Sequence, residues 1–332
     1  MAMASSKALR TELPNAREVP RFAGVATFCR FPSADRVKPA HQPADWVLYG
    51  VPFDGAVTYR PGARFAPRAI REASQYIKPF NSALGVNVAE ALSLADAGDA
   101  PVKPFSCKET LDAACAFAEK LGKPSHTRLL AVGGDHSIAY ANIRATWLRR
   151  GRPKGGLALI HFDAHLDTVD SVWGEKWSHA SPFLRAVEDG LIDPRRMLSV
   201  GARGPLNSAA DLDFARDRGV ELVTFDQWRG GDGPARIMSF LQRLGRDETY
   251  LTFDIDSVDP AFAPGTGTPC CGGFTSAEAL ALVRGCAGVN LVGGDVVEVL
   301  PDRDPAGITS LLAAHVIFEI LSAAAAGGGG AR

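Results

Sequence analysis

The chain has 332 residues, 46% of them hydrophobic, and a formal net charge of -1 from 36 basic and 37 acidic side chains. That balance gives no bulk attraction for nucleic acid or an anionic membrane, so a charged ligand must be recognised locally. Six scattered cysteines with no CxxC pair argue against both a disulfide framework and a thiolate zinc site.

The N-terminal stretch carries Glu12 and Glu18 and no long apolar run, unlike a signal or transit peptide, and no window approaches a membrane span. A cytoplasmic protein is expected. Residues 1–43 have little periodicity and are expected to form an arm, residues 44–323 a single domain, and the Ala/Gly-rich residues 324–332 a flexible tail. From Ala44, DWVLYGVP is an apolar run closed by Gly50 and Pro52, which predicts a buried strand. Pro61, Gly62 and Pro67 then make a loop before a helix over 68–74.

Strand and helix patterns alternate from there. LSLADAGD precedes a helix over 108–121, RLLAVGGD one over 137–149, GLALIHFDAH one over 182–189 and MLSVGAR one over 207–218. VELVTF precedes a helix over 234–244, TYLTFDID one over 276–286, and VNLVGGDVVEV one over 308–323. Parallel strands need helical crossovers, so this alternation predicts a parallel sheet covered on both faces. Eight strands fit an open sheet or a (β/α)8 barrel equally well.

Ligands in such folds sit at the carboxyl ends of strands. Asp163, His165 and Asp167 stand there at alternate positions, and alternate residues of extended backbone point to one side. Asp254 and Asp256 repeat the device, a GGDH turn adds Asp135 and His136, and Glu298 ends the last strand. One such Asp alone reads as a helix cap, and His161 reads as a packed strand residue. The coincidence of period-two patterns at several strand ends instead predicts two divalent cations held by oxygen and imidazole, which suits Mn, Fe, Co or Ni.

GGDHS, HFDAHLD, SHASPF, FDIDSVDPAFAPGTGTP and GDVVEV, in this order, resemble the motifs of the ureohydrolase family of arginases and agmatinases. GVPFDGAVTYRPGARFAPRAIREAS is similar to the agmatinase branch. The resemblance implies a three-layer α/β/α sandwich around an eight-stranded mainly parallel sheet, rather than a barrel. It implies hydrolysis of a small cationic guanidino substrate to urea and an amine, in a homo-oligomer (trimer or hexamer) or a hetero-oligomer with a paralogue. It also implies that His136, Asp163, Asp167 and Asp254 hold one metal and Asp163, His165, Asp254 and Asp256 the other, with Mn(II) expected and Ni(II) as the alternative. Asp167 would take the proton from the nucleophile, His179 would give one to the leaving amine, and Glu298 would bind the guanidinium.

Several positions depart from the pattern. Val169 replaces the Asn with which arginases bind the amino-acid carboxylate, Leu166 replaces Thr, Ala180 replaces Gly, and Cys270 stands where Glu or Val is common. Trp173 and Trp177, Cys270 and Asp302 are therefore candidate substrate contacts. These departures raise free guanidine or an N-methylated guanidine as alternative substrates to agmatine or a guanidino acid. A non-catalytic subunit would have lost ligands, and none is lost. A zinc deacetylase of related architecture would use one metal without bridging Asp residues.

Overall fold

The computed structural model describes residues 9–327. Eight strands form one sheet: β1 Trp46–Gly50, β2 Leu94–Asp99, β3 Arg128–Val132, β4 Leu157–Phe162, β5 Ile192–Val200, β6 Glu221–Val223, β7 Thr249–Asp254 and β8 Leu291–Val297. Their order is β2-β1-β3-β8-β7-β4-β5-β6, and every neighbouring pair is parallel. The sheet is open, with β2 and β6 at its edges, so it is not a barrel. The longer helices are α1 Ala66–Ala73, α2 Cys107–Ala118, α3 Ile138–Arg149, α4 Pro182–Glu188, α5 Gly233–Leu244, α6 Ser276–Arg284 and α7 Ile308–Ala326, with shorter helices and turns between.

Strand periodicity divides the core in two. Ala158, Ile160 and Phe162 of β4 join the cluster under α1, α5, α6 and α7, while Leu157 and Leu159 join the cluster under α2, α3 and α4. With both faces covered, the central strands are buried along their length apart from Arg128 at the start of β3, which is why they read as continuous apolar runs.

The expected helix over 207–218 is instead a 3-10 turn at Ala209–Leu212 followed by a helix at Asp213–Arg218. Asp211 and Ser208 form a capping box there. The last helix reaches Ala326 and buries Ala324, three residues past the expected boundary of the tail, because the alanine run favours helix until Gly327. The remaining tail over 328–332 and the first part of the arm over 1–8 lie outside the described residues. The rest of the arm packs onto the domain: Phe28, Cys29 and Phe31 are buried in the core, and the Phe28 amide donates to Asp96 Oδ2 at 2.9 Å. The expectation that no window approaches a membrane span needs correction. Residues 305–326 contain an 18-residue window that is long and apolar enough, with mean hydropathy 1.8, but 78% of that window is buried inside the protein as part of a core helix.

The loops at the carboxyl ends are fixed by buried carboxylates. Asp54 accepts from the Gly62 amide at 2.6 Å and pairs with Arg64, and Asp135 Oδ2 accepts from the Ala56 amide at 3.1 Å. Both ends of the 54–64 loop are thus pinned. At the end of β3, Gly134 has φ +87°, and a Cβ there would lie 2.4 Å from the Val51 carbonyl oxygen. Gly134→Ala should therefore destabilise the fold by about 2–4 kcal/mol in chemical denaturation, through left-handed strain and displaced backbone.

Candidate metal centre

Four adjacent strands, β3, β8, β7 and β4, present the acidic strand ends side by side. The last two strands of the chain fill the gap between β3 and β4, so His136, Asp163 and Asp254 meet although they are far apart in sequence.

His136 Nδ1 lies 3.1 Å from Asp163 Oδ2, 2.8 Å from Asp167 Oδ2 and 3.2 Å from Asp254 Oδ2. His165 Nδ1 lies 3.3 Å from Asp163 Oδ1 and 3.1 Å from Asp256 Oδ2. Three groups of candidate ligands share Asp163: His136/Asp163/Asp167/Asp254, Asp163/His165/Asp256 and His136/His161/Asp163. In the third, His161 Nε2 is committed to Asp163 Oδ2 at 2.8 Å, leaving the first two as the ligand groups. Asp254 joins only the first group, whereas the resemblance gave it to both; its Oδ1 accepts from the Asp256 amide at 2.8 Å.

The residues fit cations on three grounds. Thr252 Oγ1 donates to Asp295 at 2.6 Å, so it accepts from His136 Nε2 at 2.9 Å. That tautomer leaves Nδ1 as a bare lone pair, buried and without a hydrogen-bond partner, facing three carboxylates. Burial, then Asp256 and Asp163, raise the Asp254 carboxyl well above its ordinary range, so these acids ionise together only with positive charge beside them. The four aspartates carry up to four negative charges, which two divalent cations would balance.

A second layer holds the ligands. His161 is buried; its Nε2 donates to Asp163 Oδ2 at 2.8 Å, and its Nδ1 lies 3.1 Å from Ser199 Oγ. Sequence reading took His161 for core. Its place two residues before Asp163, on the same side of the strand, was the available signal. Asp163 Oδ1 accepts from the His165 amide at 2.6 Å, and Asp256 Oδ1 from the Ala164 amide at 3.1 Å. Behind His136, the chain continues from Asp295 to Tyr250 at 2.6 Å and from Tyr250 to Asn142 at 2.6 Å.

His179 and Glu298 sit beside the ligand groups. His179 Nδ1 donates to Glu298 Oε1 at 2.9 Å, and that oxygen also accepts from the His136 amide at 2.9 Å. Glu298 Oε2 is buried without a partner, and the residue is 1% exposed. Burial lowers the His179 pKa, but the charge and hydrogen bond of Glu298, helped by Asp167 and Asp135, outweigh it and raise it to about 9. The Thr58 amide donates to His179 Nε2 at 3.0 Å and Thr58 Oγ1 lies 2.7 Å away, a geometry of the neutral ring. Cations at the neighbouring aspartates would offset the negative charge that pulls this proton on. Thr58, two residues past the pinned Ala56, escaped sequence reading because its partner is 121 positions away.

A cavity of about 460 Å³ opens from Thr58, His165, Asp167, His179, Asp254 and Thr268. Its outer part is built by Leu166, Val169 and the segment from Pro205 to Phe214, which follows the carboxyl end of β5 and which sequence reading left without a role. Of the candidate substrate contacts, Cys270 is beside the site, with Sγ 3.7 Å from His165 Nε2 and its carbonyl held by Arg203 at 2.9 Å. None of the four lines the cavity itself. Trp173 is 82% exposed, Trp177 packs on Tyr140 at 4.8 Å beneath its loop, and Asp302 lies by Gly62 and Arg303.

The description "Arginase family" matches residues 44–322. The chain is 41% identical to the guanidinopropionase of Pseudomonas aeruginosa over 308 residues, covering 92% of this chain and 94% of that protein. Among solved structures, it is similar to proclavaminate amidino hydrolase from Streptomyces clavuligerus, with TM-score 0.84, 38% identity and coverage of 93% of this chain and 100% of that one. It is also similar to a hypothetical agmatinase from Burkholderia thailandensis, with TM-score 0.80, 37% identity and 92% of each chain covered.

Replacing His161 by Phe keeps the ring volume and removes the donor to Asp163. The variant should fold but hold metal about 10–100-fold more weakly, read as metal content after dialysis against graded chelator. Unchanged metal content would mean that His161 is only packing.

Proposed function

The chain belongs to the arginase family, and on that footing we propose that it hydrolyses a guanidino C–N bond at a two-cation site, releasing urea and an amine. The observation that carries this reading is the pair of ligand groups sharing Asp163 next to a buried glutamate with one unpaired oxygen. His136, Asp163, Asp167 and Asp254 would hold one divalent cation, and Asp163, His165 and Asp256 the other. When bound, the cations supply Lewis acidity and a water acidic enough to serve as nucleophile near neutral pH. We assign Mn(II) to an oxygen-rich set without thiolate, with Ni(II) as the alternative that two imidazoles also suit.

The protein's own groups orient the substrate and handle protons. Glu298 Oε2 is the acceptor we assign to the guanidinium N–H groups, because its other oxygen is committed to His136 and His179. Asp167 lines the cavity with its side chain 10% exposed and is placed to take a proton. His179 lines the cavity as well; with Nδ1 donating to Glu298 and Nε2 accepting from the Thr58 amide, its neutral ring can take up a proton at Nε2 and return it to the leaving amine. Free guanidine would leave most of the 460 Å³ cavity unfilled, so a guanidine bearing a tail fits better. We also read the protein as a homo-oligomer, a reading that the exposed Phe22 (94%), Val25 (91%) and Tyr76 (65%) support.

Two outcomes test the reading. Protein loaded with Mn(II) or Ni(II) should release urea from guanidino compounds, and Asp254→Ala should lose that activity together with bound metal. Glu298→Gln should keep its metal and lower kcat/KM at least about 100-fold, since a neutral amide cannot pair with a guanidinium. A Glu298→Gln protein with wild-type kcat/KM would remove Glu298 from substrate binding.

A further inference from the structure

The outer wall of the cavity is largely apolar, with Leu166, Val169, Leu206 and Phe214 beside the polar Asn207 and Asp211, and among the described residues no Lys or Arg lines it. Val169 and Leu206 are 47% and 49% exposed, so both have apolar surface to lose to a bound tail. The acids of this wall are already engaged. Asp211 Oδ2 accepts from the Asn207 amide at 2.8 Å and the Ser208 amide at 3.4 Å, and Asp170 is paired with Arg185.

Resting on the guanidino hydrolase reading, we propose that this wall selects an uncharged alkyl tail on the guanidine and rejects a tail carboxylate. An acid-tailed guanidine, of the kind named for the Pseudomonas relative, would bring its carboxylate toward the uncompensated charge of Asp211, with Asp170 already balanced by Arg185 and no Lys or Arg in the lining to receive it. Like charge in a partly dry cleft is unfavourable, and an unpaired carboxylate also loses hydration. An ammonium tail escapes the repulsion, but Asp170 is already paired with Arg185 and Asp211 is held in its capping box through Oδ2, so the ammonium gains at most one partner while losing hydration. An alkyl tail needs no partner, and each CH2 it buries is worth about fourfold in affinity. The rank order expected is therefore alkyl first, amine second and acid last, with Leu206 and Val169 as the specificity-determining side chains.

The test compares butylguanidine, agmatine, 4-guanidinobutyrate and free guanidine by urea release, using full-length protein whose metal content is measured alongside. Butylguanidine should exceed 4-guanidinobutyrate at least about tenfold in kcat/KM, chiefly through KM, and free guanidine should trail butylguanidine. Leu206→Arg should raise 4-guanidinobutyrate turnover about tenfold and lower that of agmatine. If 4-guanidinobutyrate equals or beats butylguanidine, if guanidine is preferred, or if Leu206→Arg leaves the order unchanged, the proposal is overturned while the hydrolase reading stands. If metal-loaded protein releases urea from none of the four, the hydrolase reading itself fails and takes this one with it.

Discussion

Like charges buried side by side cost several kcal/mol per ion unless opposite charge is supplied. Asp163, Asp254 and Asp256 are at most 2% exposed and crowd around two imidazoles. Much else in the molecule answers that constraint. Backbone amides of His165, Ala164 and Asp256 each donate to one of these carboxylates, and His161 donates to a further oxygen. The Thr252–Asp295 pair turns His136 so that its lone pair faces the acids. Hydrogen bonds aim the groups but bring little net charge, so the balance falls to cations. An oxygen-rich site of this kind is therefore built to be filled, and its geometry is fixed by the second layer before anything binds.

What could be read from sequence follows from periodicity. Strands with two covered faces leave apolar runs, and residues at alternate positions leave DxHxD and DxD, so parallel strands, their number and five of the six proposed ligands were legible locally. His136 was marked by a GGDH turn, and the choice of open sheet over barrel rested on the family resemblance. Partners joined by long loops were not legible. Thr58 meets His179 across 121 residues and Tyr49 meets Asn142 across 93, and no local pattern encodes either pairing. Trp173 and Trp177 illustrate the opposite error. Residue type pointed toward cation stacking, but side-chain direction in an irregular loop depends on tertiary contacts, and one ring faces solvent while the other packs on Tyr140. The outer wall after β5 was missed because Leu, Pro, Ala and Phe carry no chemical signature until the fold sets them around a cavity.

Two acidic residues of the site have left-handed backbone, Asp167 at φ 52° and Glu298 at φ 64°. Non-glycine residues are seldom found there, and such strain persists only where surrounding structure fixes it. At Glu298 that structure is visible: its amide donates to the Gly134 carbonyl at 3.0 Å while its side chain accepts from the His136 amide. The ends of β3 and β8 are thereby locked to each other at the point where the proposed substrate acceptor must be held still.

The insertion of β7 and β8 between β3 and β4 has a consequence for how the molecule comes together. A nascent chain that has emerged only through β6 has His136 and Asp163 but lacks the two strands that separate and align them, so its sheet has an open seam through the middle. Parallel pairing across such sequence distances is slow because loop closure precedes any gain from contact. Cations that bind ligands on both sides of that seam bind the closed form preferentially, and mass action then favours closure. The seam that closes last in the sheet is thus the place where the candidate ligands meet.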